Sequence, residues 1–328
     1  MKIRAEESLL DRRQLLAAAC REFGIDASEI HLIQRSGKET YRLRGGGRRW
    51  LLRVYCAAHP RKQAAAEARL LHHLQKNGVD VAPLIAASGV GAPEGKRVMA
   101  LFEFVGGKDL QLDGKTSRRH GSIVARLHRA ADSFDTGGVE TELDEAALVD
   151  IPIAALSAFM KMKSADGRFI RELGAILTAQ LRRLPNVAPL YGIVHGDHLH
   201  NARSVGQRHV LFDFDALWKS WRVFDISLVQ WTLALKVPTW FLTYRADDDV
   251  IWNAFLNGYQ DERPLEPEEW NVLPLFVFVR MIWDMGMHAA RSEKFGSWWL
   301  RGPYFDERIG AMRQWVSALG GMSRLRRW

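Results

Sequence analysis

Residues 190–215 contain two short apolar runs, "LYGIVHGD" and "HVLFDFD", each ending in carboxylates. Strand-like segments this short that stop on charge do not build a core alone; they deliver side chains to a site. The connection between them, "HGDHLHN", packs three histidines, Asp197 and Asn201 into seven positions. Two chemistries want such a loop. A zinc site needs clustered imidazole and carboxylate donors, generally three from the protein when the metal is catalytic. A phosphotransferase needs one aspartate beside the acceptor hydroxyl and hard oxygen donors for magnesium nearby.

The rest of the chain decides between them. Its 328 residues, 47% hydrophobic, suffice for a sizeable core in two domains or lobes. No apolar run reaches the roughly 20 residues a bilayer span needs, and "MKIRAEESLLDRRQ" is too charged for a secretory signal, so no membrane partner is expected. Two cysteines, Cys20 and Cys56, give neither a disulfide framework nor a Cys-rich metal site, and a cytoplasmic protein is expected. The net charge of +8 admits an anionic ligand such as a nucleotide. Its dense patches, "RGGGRR" (44–49) and "RLRRW" (324–328), match no nucleic-acid module, so nucleic acid is not expected as a partner.

Along the chain, residues 7–23 carry helical apolar spacing and Gly24 ends the run. Residues 29–57 read as β structure turning at Gly37 and again at Gly45–Gly47, with Arg53 a lone cation in the apolar strand "WLLRVY". Residues 59–78 read as a helix with Glu67 at the edge of its apolar stripe. Two further strands follow, and Gly106-Gly107 punctuates the chain, so a first lobe is expected over 1–105 and a second over 106–328. Beyond it, helices are expected at 117–134, 151–162 and 167–184, an acidic surface loop at 135–150, one short hairpin, and nearly all helix to the end after Asp225. Eleven of the twelve tryptophans lie after residue 200, so the second lobe should be the more aromatic. The expected class is α+β, a small sheet with one helix followed by a larger helical part.

A zinc hydrolase would show two histidines one residue apart and then an Asp-His pair, with more ligands downstream. The order here is His-Gly-Asp-His-Leu-His, and His209 and His288 are solitary. Phosphoryl transfer needs positioning and charge neutralisation, hence five parts in order. They are a turn over the phosphates, a strand cation, a helix acid to hold it, a base loop and a metal carboxylate. Ser36-Gly37, Arg53, Glu67, Asp197 with Asn201, and Asp213 supply them in that order. Singly, Arg53 reads as a snorkelling cation, Glu67 as a solvated helix residue and His198 as a surface residue; the joint order carries the weight.

That set, and above all "VHGDHLHN…VLFDFD…FDIS", resembles the aminoglycoside phosphotransferase / choline kinase-like family, near homoserine kinase type II and the stress-response Ser/Thr kinases, over about residues 25–290. The resemblance implies a bilobal, protein-kinase-like fold, ATP and Mg²⁺ as cofactors and a small-molecule hydroxyl acceptor, the alternatives being a protein Ser/Thr kinase or a non-catalytic nucleotide-binding pseudokinase. It implies that Asp197 orients or deprotonates the acceptor hydroxyl, and that Asn201 and Asp213 hold magnesium, with Asp215 adding a second contact. Arg53 would pair with phosphate oxygens and Glu67 would hold it. Backbone groups of Glu103, Phe104 and Val105 would read adenine. His195 and Asp225 would be structural, Asp225 bracing the loop from the start of a helix. Arg280 or Asp284, in "FVRMIWDMGMH", would face the acceptor, the alternative being a helix with one buried aromatic face. The chain departs from the family pattern at three points. Asn201 follows Asp197 by four positions rather than five, which leaves His200 as a poorer alternative ligand. The strand cation is Arg rather than Lys. The phosphate turn carries one glycine where eukaryotic kinases have three.

Overall fold

The segment "KETYRLRG" forms a strand because its apolar side chains fall on alternate positions: Tyr41 and Leu43 are fully buried and their neighbours are not. In the computed structural model, which describes residues 8–35, 37–137, 139, 141–235 and 242–327, this strand belongs to an antiparallel five-stranded sheet. The strands are β1 (Glu29–Arg35), β2 (Lys38–Gly45), β3 (Arg48–Tyr55), β4 (Leu84–Ala92) and β5 (Gly95–Glu103), in the order β1-β2-β3-β5-β4. Helix α1 (Arg12–Phe23) covers one face, packing Leu15 and Ala19 against Tyr41, Leu43, Trp50, Leu52, Met99 and Leu101. It starts at Asp11, whose carboxylate accepts from the Gln14 amide at 2.9 Å, and stops at Gly24 in the left-handed conformation. Helix α2 (Arg61–Lys76) buries Ala66, Glu67, Leu70, Leu71 and Leu74.

The chain folds as two compact units that interleave along the sequence. The first comprises residues 1–109 with returns at 133–140 and 201–217; the second comprises 110–132, 141–200 and 218–328. The sequence reading drew a single cut at 105/106. The return at 201–217 is the hairpin of β9 (Ala202–Val205) and β10 (Arg208–Leu211), tied to the first unit where the Ala82 amide donates to the Leu211 carbonyl at 2.8 Å.

The second unit opens on β6 (Leu110–Leu112) and α3 (Gly114–Ala131), followed by β7 (Thr141–Glu142), α4 (Ile151–Leu156), α5 (Ala165–Leu181) and β8 (Tyr191–Val194). It continues through β11 (Trp218–Trp221), α6 (Val223–Leu235), β12 (Leu242–Tyr244), α7 (Asp248–Glu262), α8 (Pro267–Ala290), α9 (Ser292–Phe295), α10 (Gly302–Ala318) and α11 (Met322–Leu325). Helices α3 and α7 approach through reciprocal glycines: a Cβ on Gly121 would lie 1.9 Å from the Phe255 carbonyl oxygen, and one on Gly258 1.8 Å from that of Arg118. Helix α8 is the one described helix long and apolar enough to cross a membrane, and 78% of its most apolar window is buried inside the protein, as in a core helix.

Three expectations are corrected. The strand before the histidine loop, β8, pairs with β11 rather than with the strand that follows the loop, because β10 is taken by β9. The expected acidic surface loop at 135–150 contains a π-helical turn, Ala146–Asp150, that buries Leu148 and Val149 and runs into α4. The helix expected over 151–162 ends at Leu156.

Candidate active site

The antiparallel register of β2 and β3 sets Lys38 opposite Tyr55 and Thr40 opposite Arg53, so Lys38, Arg53 and Tyr55 share one face of the sheet. Helix α2 brings Glu67 to that face. Its carboxylate accepts from Arg53 Nη1 at 3.1 Å and from the Tyr55 hydroxyl at 2.6 Å, and Arg53 and Glu67 are buried. Burial lifts the Glu67 carboxyl to about 7 against the pull of Arg53. The other end of the guanidinium reaches Asp213, with Nη2 3.2 Å from Oδ1. Arg53 therefore joins the α2 acid to the expected metal carboxylate, a geometry its planar fork permits.

Asp213 sits just beyond the β9–β10 hairpin, whose last ladder pair is Ala202–Leu211. One position further the Phe212 amide donates to the Asn201 carbonyl at 3.0 Å, so Asn201 and Asp213 leave the same end of the hairpin. Asp213 holds a φ of 72°, a left-handed backbone that costs most residues roughly 1–2 kcal/mol and that Asp tolerates better than most. Gln63 fixes the chain behind it, donating to the carbonyls of Asp215 at 2.9 Å and Ala216 at 3.1 Å. The Lys38 ammonium lies on both carboxylates, bonded to Asp213 Oδ1 and 2.6 Å from Asp215 Oδ2. Burial raises the Asp213 carboxyl, but Arg53 and Lys38 outweigh it and hold the group well below the usual carboxylate range.

Lys38 is the residue sequence reasoning missed. The signal was present: it follows the expected phosphate turn and, once β2 and β3 are paired, lies diagonal to Arg53. Of that turn, Gly37 has a φ of 68°, and Ser36 lies outside the described residues. At the expected adenine segment, the Glu103 amide donates to the Pro83 carbonyl at 2.9 Å, and the Arg49 guanidinium stacks 4.6 Å from the Phe104 ring.

In the second unit, Asp225 enters the first turn of α6 fully buried. It accepts the amides of His195 at 2.7 Å and Gly196 at 2.6 Å, and a third bond from His128 Nε2 at 3.1 Å. Burial raises its carboxyl, but these partners hold it well below the usual range. His128 Nδ1 then accepts from the Tyr259 hydroxyl at 2.7 Å. Arg280 of α8 closes the loop from the other side, giving both terminal nitrogens to the carbonyls of Gly196 and Phe224 at 2.6 Å. Gly196 cannot be replaced cheaply: its φ is 81°, and a Cβ would lie 2.3 Å from the Trp218 ring. The His195 ring accepts from the Asp197 amide at 3.4 Å. Asp197 is left with a carboxylate about half exposed, 51%, hydrogen-bonded to His200 Nδ1.

Two readings fail here, those of His198 and Arg280. His198 is fully buried rather than a surface residue, donating from Nε2 to the Asp225 carbonyl at 2.9 Å and facing His120 across 2.8 Å. Arg280 is buried and spent on two carbonyls, so it does not read an acceptor. Asp284 takes Tyr304 at 3.2 Å and Arg308 at 3.4 Å. Among the described residues no cluster of three His, Cys, Asp or Glu side chains is arranged to hold a metal.

A sequence profile of the "Phosphotransferase enzyme family" matches residues 32–267. The chain belongs to that family. A protein of Deinococcus radiodurans is 30% identical to this phosphotransferase over 327 residues, covering 96% of this chain and 93% of its own. Among solved structures, a microcompartment-associated aminopropanol kinase superposes with a TM-score of 0.74 at 20% identity, covering 94% of this chain and 98% of its own. An amicoumacin kinase in complex with AMP-PNP, Ca²⁺ and Ami does so with 0.72 at 17%, covering 95% of each chain. The phosphotransferase thus has the kinase-like α+β fold, with an antiparallel N-terminal sheet and a helical C-terminal region.

Proposed function

We propose that this phosphotransferase moves the γ-phosphoryl group of ATP, with Mg²⁺, to a hydroxyl of a small polar acceptor such as an amino alcohol, a sugar or an aminoglycoside-like compound. One observation carries the reading: Asp213 and Asp215 turn their oxygens to one shared cation position beside an arginine locked to a buried glutamate. The donor set fits a hard divalent cation, being carboxylate oxygen, with Asn201 leaving the same hairpin end as Asp213; the Lys38 ammonium stands in for the charge there. His200 directs Nδ1 to Asp197, which speaks for Asn201 as the further ligand. Held by these residues, magnesium would supply positive charge to neutralise the phosphates.

The chain's own groups do the rest. Arg53 grips phosphate oxygens with its orientation fixed by Glu67 and Tyr55. Backbone groups at Phe104 and Val105 read the base, since the Glu103 amide is committed to Pro83. Asp197 accepts a hydrogen bond from the acceptor hydroxyl and takes its proton as that oxygen bonds to the γ-phosphorus and the bond to the β–γ bridging oxygen breaks, releasing ADP. The loop that presents it is fixed by Asp225 and Arg280 before substrate arrives. A small acceptor is favoured because β11 begins at Trp218, leaving no long segment after Asp213 for a peptide to dock along. The aminopropanol and amicoumacin kinases among the structural relatives act on small molecules by name.

Calorimetric titration of AMP-PNP tests the reading directly. Binding that strengthens with Mg²⁺ is expected, and metal-indifferent binding would instead mark a pseudokinase. Labelled ATP offered with pooled amino alcohols, sugars and aminoglycosides then identifies the acceptor by transfer of label.

A further inference from the structure

We propose that Lys38 is a resident counter-cation that holds the two metal carboxylates and moves onto the polyphosphate when metal and nucleotide arrive together. The inference rests on the nucleotide reading above and extends it to how the site loads. The Lys38 ammonium bonds Asp213 Oδ1 and Asp215 Oδ2 at once, so it sits where a divalent cation shared by the two carboxylates would sit and repels that charge. A bare metal ion must therefore displace a paired lysine, at a cost set by two ionic hydrogen bonds in a partly buried site. Lys38 and the two aspartates expose between 17% and 25% of their side chains, so they are shielded but not sealed.

The two cations on this sheet face differ in freedom. Arg53 is pinned, one nitrogen on buried Glu67 and the other on Asp213. Lys38 starts β2 directly after Gly37 and ends a flexible four-carbon stem. A displaced ammonium on that stem finds its best new partners in phosphate oxygens, which come with the nucleotide and not with the metal. Lys38 thus couples the two ligands: each favours the other because only together do they compensate the lysine.

Manganese titration followed by electron paramagnetic resonance, with and without AMP-PNP, tests this on wild type, Lys38→Met and Lys38→Arg. In Lys38→Met, bare Mn²⁺ should bind about tenfold more tightly than in wild type, and the strengthening by AMP-PNP should shrink by a similar factor. Lys38→Arg, which keeps a cation, should retain weak bare-metal binding, and this separates charge from any loss of fold. Equal or weaker bare-metal affinity in Lys38→Met overturns the proposal. If wild type nevertheless takes up Mn²⁺ with AMP-PNP, only the role of Lys38 falls. If no form binds Mn²⁺ even with AMP-PNP, the nucleotide reading falls with it.

Discussion

Asp213 shows how much one residue in this protein is asked to do. It takes Arg53 and Lys38 on one carboxylate while its backbone sits at a φ of 72°. Charge and conformation separate by substitution. Asp213→Asn and Asp213→Ala should both lose metal-dependent nucleotide binding, since neither offers a carboxylate. Asparagine tolerates the left-handed backbone and alanine does not, so the alanine variant should be less stable than the asparagine variant by about 1 kcal/mol in urea unfolding. Equal stability of the two would mean that the conformation is not held in solution. Arg53, Glu67 and Asp213 were legible only as a set, through their order along the chain, because singly a strand cation, a helix acid and an aspartate ending a strand each have an ordinary reading. Lys38 was not, since a lysine after a glycine turn looks like any solvated turn residue until strand register gives it neighbours.

At the scale of elements, the loop carrying Asp197 is shaped by two helices that lie apart in sequence and pack on each other. Helix α6 supplies Asp225 for its amides and α8 supplies Arg280 for its carbonyl. Arg280→Met removes donors from the carbonyls of Gly196 and Phe224, each costing about 1–3 kcal/mol when left buried and unpaired. Because Arg280 positions the loop rather than touching substrate, kcat should fall while nucleotide affinity stays near wild type; a matching loss of nucleotide affinity would contradict that role. Arg280 looked like an acceptor reader in sequence because helical spacing reports a face and not what lies against it. The same limit hid the partner of β8: "WKSW" at 218–221 lacks a clear apolar alternation, and its pairing with Tyr191–Val194 is fixed by tertiary packing. The π-turn at Ala146–Asp150 was obscured by the acidic residues before it, which suggested a solvated loop.

For the whole molecule, the order of elements was readable from periodicity, but the interleaving of the two units was not. It depends on the long-range pairing of residue 82 with residue 211, which no local pattern encodes. Burial of histidine gives the protein a pH dependence. Burial lowers His128 to about 3 and His198 to about 4, against an ordinary value near 6.5. Unfolding lets both recover ordinary values, so the unfolded chain binds more protons below pH 6.5 and stability falls as pH drops from there toward 4. Each such histidine steepens the loss by about 1.4 kcal/mol per pH unit inside that window. Unfolding free energies measured across pH 4–7 should fall less steeply in His198→Asn than in wild type, whatever the variant's stability at pH 7; parallel curves would show that His198 does not titrate on unfolding.

The account centres on Asp197 as the group that handles the acceptor hydroxyl, and single-turnover transfer in Asp197→Asn addresses it most directly. Once an acceptor is in hand, the variant should bind Mg²⁺ and AMP-PNP like wild type and transfer phosphate at least about a hundredfold more slowly, the lower range of what positioned acid–base groups contribute. Transfer at the wild-type rate by Asp197→Asn would contradict the account.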